Sequence, residues 1–208
     1  MWNGIDVSRF QGQIDWEQVT TDFVIIRAGF GAGTLDPQFE RNITECNRLG
    51  IPCGVYWFSY ALSPQAAAEE ARRCLDAVRP YRLEYPVCFD YEYDSVLYAR
   101  RNGVEVTQRL ATDLVKAFCG TVQELGYYAM YYANADFLQN IFYPAELTEY
   151  DLWYARYREG ETPGRENVGI WQYSDTGRMP GIIGNVDLNR GYRDYPAIIR
   201  RAGLNRLE

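Results

Sequence analysis

The chain contains no histidine. That absence removes Ser-His-Asp and Cys-His nucleophilic chemistry and every histidine-ligated metal site. Proton transfer must fall to carboxylates, tyrosine, lysine or cysteine. The five cysteines, Cys46, Cys53, Cys74, Cys88 and Cys119, are odd in number and form no Cys-x-x-Cys, so neither a zinc site nor a disulfide framework is indicated. Most lie in apolar patterns and read as buried thiols acting as small hydrophobes. Cys46 and Cys53 flank a Gly-Ile-Pro turn and could bridge, though free thiols are the expected state. A basic excess is also missing. The net charge is −7 with no long basic run, which argues against nucleic acid as a partner. No stretch approaches the ~18 apolar residues of a membrane span. The N-terminus lacks the basic region and apolar core of a signal peptide. Gly29, Gly31 and Gly33 do not follow the G-x-G-x-x-G spacing of a nucleotide cradle.

Aromatic residues are plentiful, at 15% of the chain with 18 Tyr and 5 Trp. Tyr and Trp stack on flat apolar faces while offering a polar tip, and sugar rings present such faces. Most of them would nonetheless fill a core. The charged and hydrophobic shares, 24% and 47%, are ordinary for a globular protein. A length of 208 residues suits one domain.

Strand and helix signals alternate from end to end. Residues 23–29 form a nearly continuous apolar run, the mark of a strand buried on both faces. Further strands are expected at 4–7, 52–59, 87–92, 127–133, 152–156, 168–173 and 185–189. A helical turn is expected at 14–19, capped by Asp15, and a helix capped by Asp36 runs to Leu49 and closes at Gly50. Longer helices are expected at 65–78 and 106–125, with short ones at 136–142 and 195–201 and a loop through Asn102-Gly103. About eight strands alternating with helices predict an α/β fold, a single irregular (β/α) barrel with helices reduced between the last three strands. One domain spans 1–208, with its core at about 3–203.

The acids are placed unevenly. Asp90 and Glu92 follow the apolar run Val87-Cys88-Phe89, and in an extended strand residues two apart share a face about 7 Å from each other. Carboxylates this close repel, so one proton is held more tightly, which suits a general acid. The plain alternative is a charged strand end in solvent. Asp6 ends the first strand and Asp187 lies on the last. In barrels of this kind the chemistry sits at the C-terminal rim, so Asp6, Asp90, Glu92 and Asp187 would converge there. Aromatics stand at the same level: Tyr56 and Trp57, Tyr131 and Tyr132, Trp153 and Tyr154, and Trp171 and Tyr173. An acidic cleft walled by aromatics fits a polysaccharide better than a phosphate. Taken singly, Asp6 could cap a turn, Asp187 could orient an Arg, and Tyr56 and Tyr131 could be barrel filling.

Five blocks carry a resemblance: Gly4-Ile5-Asp6-Val7-Ser8-Arg9-Phe10-Gln11-Gly12 with Ile14-Asp15-Trp16; Phe89-Asp90-Tyr91-Glu92; Leu152-Trp153-Tyr154-Ala155; Trp171-Gln172-Tyr173-Ser174; and Gly181 to Asn189. In this order and spacing, over about residues 3–195, the chain resembles the family 25 glycoside hydrolases, the Chalaropsis-type lysozymes. The resemblance implies a flattened β/α barrel and hydrolysis of the β-1,4 bond between N-acetylmuramic acid and N-acetylglucosamine in peptidoglycan. It implies Glu92 as general acid, Asp90 as its partner, Asp6 and Asp187 lining the site, and Tyr56, Tyr131, Trp153 and Gln172 as substrate contacts. No metal or cofactor is expected. The implied partner is the peptidoglycan glycan strand, met at the cell wall outside the cytoplasm by a monomer, after leader removal or phage-type release. One departure stands out: the family's Tyr-His-Phe reads Tyr56-Trp57-Phe58 here, so a structural role is expected at that point.

Asp90 and Glu92 lie on the same side of the sugar, so Asp90 is poorly placed to attack from the opposite face. The expected mechanism is substrate-assisted retention, with Asp90 orienting the 2-acetamido group. A chitin-type N-acetylhexosaminidase and a non-catalytic wall-binding barrel are the alternatives. The first usually carries a D-x-x-D-x-D-x-E ladder, which is absent here. The second has no need of a carboxylate cluster.

Overall fold

A computed structural model describes residues 1–158, 160 and 162–207. Nine strands and five helices follow in the order β1 (Trp2–Val7), β2 (Phe23–Phe30), β3 (Thr34–Leu35), α1 (Phe39–Leu49), β4 (Cys53–Phe58), α2 (Pro64–Val78), β5 (Val87–Asp90), α3 (Tyr93–Arg101), α4 (Gln108–Glu124), β6 (Ala129–Asn134), β7 (Asp151–Ala155), β8 (Val168–Gly177), β9 (Val186–Gly191) and α5 (Tyr195–Ala202). The sheet runs β1-β9-β8-β7-β6-β5-β4-β2 and closes through β1–β2 pairing, giving an eight-stranded barrel. The two-residue β3 hangs antiparallel on the end of β2.

Seven barrel strands are parallel, and β9 alone runs against both neighbours, β1 and β8. This departs from an all-parallel sheet. The cause is the short connection after Gly177, which reverses the chain without the crossover helix that a parallel return requires. Because β9 is reversed, it begins at the rim where the other strands end.

The strands read as continuous apolar runs because both faces are buried. One face fills the barrel with Phe23, Ile25, Tyr56, Cys88, Met130, Tyr132, Trp153 and Ile170. The other carries Val24, Ile26, Val55, Trp57, Val87, Phe89, Tyr131 and Trp171, part of the larger cluster that includes the inner faces of α1, α2 and α4. Tyr195 and Ile199 of α5 join the interior set and stopper the barrel at the end opposite the strand C-termini. The Tyr195 and Tyr128 hydroxyls both donate to Asp151 Oδ2, at 2.9 and 3.0 Å, and tie that helix to β7.

Local signals act as sequence chemistry expects at several helix ends. Ser63 Oγ accepts the Ala66 amide and Pro64 opens α2. Thr107 does the same for α4, and Gly50, at φ +70°, closes α1. Other assignments change. Asp36 is not the cap of α1, which starts at Phe39. It is buried, and its Oδ2 accepts Arg27 Nε at 2.6 Å and the Arg9 amide at 3.1 Å, while its Oδ1 accepts the Gln38 amide at 2.9 Å just ahead of the helix. Asp15 makes no capping bond to the turn at Trp16–Gln18. Residues 93–101, expected as loop, form α3, and the short helix after Asp136 is a π turn, Phe137–Ile141. All five cysteines are buried free thiols, Cys46 and Cys53 included. Trp57 faces outward, fully buried, and its indole donates to the Gly31 carbonyl at 3.0 Å.

Candidate active site

Asp6 is the next-to-last residue of β1, and its neighbours Ile5 and Val7 face the outer layer. Alternation therefore turns Asp6 into the barrel mouth. Asp187, second in β9, is its direct partner in the β1–β9 register. Asp90 is the last residue of β5. Glu92 lies beyond the strand, at the position preceding α3, where its amide donates to Ser95 Oγ at 3.1 Å. Its backbone stays extended, at φ −127° and ψ −171°. Glu92 and Asp90 consequently still point the same way. All four carboxyls line one cleft of about 200 Å³, with Arg27, Tyr56, Phe58, Phe10, Ser8 and Gln11 completing it.

The carboxyls form two pairs, Asp90 with Glu92 and Asp6 with Asp187, and every member has a raised pKa. Burial raises the Asp90 pKa well above the usual carboxylate range, and the Glu92 and Asp6 charges add to this. Burial also lifts Glu92 to about 7, despite a hydrogen bond from Asp90. Asp6 rises to about 6, pushed up by burial and pulled back by hydrogen bonds from Asn189 and Gln172. Asp187 rises to about 8, through burial first and then the Asp6 charge. Asp90 is only 4% exposed, whereas Glu92 is half-buried and faces the cleft. Near neutral pH the mouth thus holds protonated and ionised carboxyls side by side, the requirement for acid catalysis. Among the described residues no acid or thiol cluster has an arrangement able to hold a metal ion.

Around Asp6 runs a buried network. Asp6 Oδ2 accepts Asn189 Nδ2 at 2.7 Å and Gln172 Nε2 at 2.9 Å. Asn189 Oδ1 accepts the Trp153 indole at 2.8 Å. Gln172 Oε1 accepts the Tyr132 and Tyr157 hydroxyls at 3.0 and 3.1 Å.

Of the residues expected to touch substrate, Tyr56 lines the cleft. Gln172 and Trp153 lie one layer beneath it, buried, with their polar atoms engaged on Asp6 and Asn189. Trp153 packs edge-on against Tyr56 and Tyr132, at 5.8 and 5.0 Å between ring centres. Tyr131 does not reach the site. It points outward and packs edge-on against Phe142, while its neighbour Tyr132 takes the inward place. The signal that could have chosen between them is Asn134, a polar residue at the strand's end that shares the parity of Tyr132. The same parity, carried two residues on from Asp187 and four from Trp153, reaches Asn189 and Tyr157, which sequence reasoning missed.

The profile of glycosyl hydrolases family 25 matches residues 5–182, the greater part of the chain. The chain belongs to that family. By family it is a glycoside hydrolase. The match contains Asp6, Asp90 and Glu92, and Asp187 lies just past it. Uncharacterized protein YegX of Escherichia coli O157:H7 is 31% identical over 202 residues, covering 90% of this chain and 68% of that protein. Lysozyme M1 of Streptomyces globisporus is 27% identical over 204 residues, covering 90% and 66%. Among solved structures, the modular autolysin LytC of Streptococcus pneumoniae superposes with a TM-score of 0.77 at 29% identity, over 90% of this chain. The chain spans about half of LytC, 46% of its length. LytC has also been solved in complex with a synthetic peptidoglycan ligand.

Proposed function

We propose that this family 25 hydrolase is a muramidase, cleaving the β-1,4 bond between N-acetylmuramic acid and N-acetylglucosamine in peptidoglycan. The observation that carries the reading is the cleft-facing Glu92 hydrogen-bonded to the buried Asp90, opposite a second carboxyl pair. The substrate chemistry is drawn from the relatives: a lysozyme and an autolysin seen with a peptidoglycan ligand. The action is at the cell wall, by a monomer on glycan strands.

Glu92, protonated, gives its proton to the glycosidic oxygen as the bond to the anomeric carbon breaks. The acetamido carbonyl oxygen of the same sugar attacks that carbon from the opposite face, forming a cyclic oxazolinium. Asp90 accepts the acetamido N–H and holds the group in line. Water then adds at the anomeric carbon, its proton returns to Glu92, and the ring opens with the original configuration. Phe10, 73% exposed, and Phe58 offer flat faces to the sugars at the cleft edge.

The test is turbidity loss of a cell-wall suspension. Wild type should clear it, and Glu92→Gln should be slower by about 10²–10⁴-fold, the usual contribution of general acid catalysis. Equal clearing by both, or none by wild type, overturns the reading. The anomer seen by NMR in the first minutes separates the routes: retention is expected, and inversion rejects the acetamide step.

A further inference from the structure

The network around Asp6 has a fixed direction. An asparagine side chain is nearly symmetric in shape, so its partners decide which end is oxygen. The Trp153 indole N–H can only donate. Asn189 must therefore turn Oδ1 to Trp153, at 2.8 Å, which leaves Nδ2 facing Asp6 Oδ2 at 2.7 Å. On the other side, the hydroxyls of Tyr132 and Tyr157 converge on Gln172 Oε1, which turns Nε2 to the same Asp6 oxygen at 2.9 Å. That oxygen receives two N–H donors and has no room for a proton of its own. Among the described residues, no side-chain N–H reaches Asp187, which faces Asp6 across the β1–β9 pair.

We propose that Asn189 and Gln172 are positioning residues that decide where the single proton of the Asp6–Asp187 pair resides, holding Asp6 as the anion and Asp187 as the hydroxyl-bearing partner. This rests on the hydrolase reading. N–H donors stabilise the charged form of a carboxyl, and Asp6 has two where Asp187 has none. The cleft then presents one fixed negative charge, backed by dipoles already in place before the substrate arrives. A fixed charge of this kind stabilises the positive charge that develops on the sugar without reorganising at the moment of bond breaking. Trp153 and Tyr157 act one step further out, by orienting the two amides.

The ionisable groups around Asp6 are Asp187 across the seam, Asp90 and Glu92 from the end of β5, Tyr56 from β4, Tyr132 from β6 and Tyr157 after β7. Arg27 of β2 lines the same cleft. The test therefore reads the carboxyls directly rather than through activity. Carboxyl ¹³C NMR titration of the intact chain, assigned with Asp6→Asn and Asp187→Asn, should show Asp6 ionising before Asp187. Asn189→Leu should move the Asp6 step upward by about one pH unit, the scale on which lost hydrogen bonds shift a carboxyl. Tyr157→Phe should move it the same way by less. Tyr157 is about half exposed, so this variant leaves the core untouched and decides the matter should Asn189→Leu not fold. Asp187 ionising first, or an Asp6 step unmoved in every variant that folds, overturns the proposal. A wild type that fails to clear cell walls yet shows these shifts rejects the muramidase reading and leaves the proton assignment standing.

Discussion

Asp6 and Asp187 stand directly opposite each other across the seam between β1 and the reversed strand β9. Directly opposed like charges on an antiparallel pair destabilise it. The pair persists here because one proton is shared between them. Both carboxyls have folded pKa values above their ordinary 3.8, Asp6 at about 6 and Asp187 at about 8. A raised folded pKa means stability that is complete below about pH 4 and lost as pH climbs through 6 to 8. Asp187→Asn keeps a donor toward Asp6 and removes one of the two titrations. Its melting temperature should match wild type near pH 4 and exceed it by a few degrees at pH 8, while wall clearing falls. Thermal melts at the two pH values decide this; parallel profiles for the two proteins contradict it.

Activity should follow a narrow bell in pH. In the proposed mechanism Glu92 acts as an acid only while protonated, so the alkaline limb should fall near its pKa of about 7. The acid limb follows ionisation of Asp6 at about 6. Asp94 is exposed at the start of α3, and its charge is one of the causes that hold Glu92 high, after burial. Asp94→Asn should move the alkaline limb down by a fraction of a pH unit at low salt, and less at high salt, where exposed charges are screened. An unchanged limb at low salt would assign it to another group.

Much of this site is legible in the amino-acid sequence. The D-x-E step after Val87-Cys88-Phe89, the acid ending the first strand and the acid on the last all meet in one cleft. They were readable because strand parity is a strict rule and buried β runs are unmistakable. The parts that escaped have physical causes. The segment carrying Tyr93 and Tyr98 lacks the usual Ser, Thr, Asp or Asn before it; Glu92 holds the cap position of α3 with Ser95 as partner, so no start signal shows. Tyr131 and Tyr132 are chemically identical neighbours on a strand buried on both faces, so composition alone does not say which points inward. Asp36 looked like a cap followed by Pro37, but one of its oxygens is taken by the buried Arg27. The reversal of β9 depends on how a Gly-rich loop turns, which no periodicity records.

Glu70 gives a stability prediction away from the cleft. It sits on the buried face of α2, 3% exposed, and its Oε1 accepts the Tyr60 amide at 3.1 Å, pinning the loop after β4. Among the described residues, its Oε2 and the nearby Tyr91 hydroxyl are buried without hydrogen-bond partners. Burial raises its pKa from 4.5 to about 7, so its contribution is complete below 4.5 and is lost as pH rises through 7. Glu70→Gln keeps the acceptor, adds a donor for Tyr91 and does not ionise. Denaturant unfolding should show little change at pH 5 and a gain of about 1–3 kcal/mol at pH 8, following the size of the shift. A loss at pH 8 would mean that the ionised carboxylate is what holds the loop.

The stopper at the far end of the barrel rests on Gly169. A methyl group there would overlap the hydroxyl of Tyr195, which is fully buried and donates to Asp151 at 2.9 Å. Tyr195 has no room to retreat without giving up that bond and the packing of α5 on the barrel interior. Gly169→Ala should cost about 2–4 kcal/mol, combining overpacking with a weakened bond to a carboxylate. Tyr195→Phe removes the overlapping oxygen, and Tyr128 and Arg193 still hold Asp151, so it should cost about 1–2 kcal/mol. The double variant should then be more stable than the sum of the two losses allows, by about 0.5–3 kcal/mol of coupling. Strict additivity would place the cost of Gly169→Ala elsewhere, at Met130 or in the strand itself. Because the four carboxyls lie at the opposite end of the barrel, turnover below the melting range should be the same in all three variants. A stability series with constant activity would separate the stopper from the site it supports.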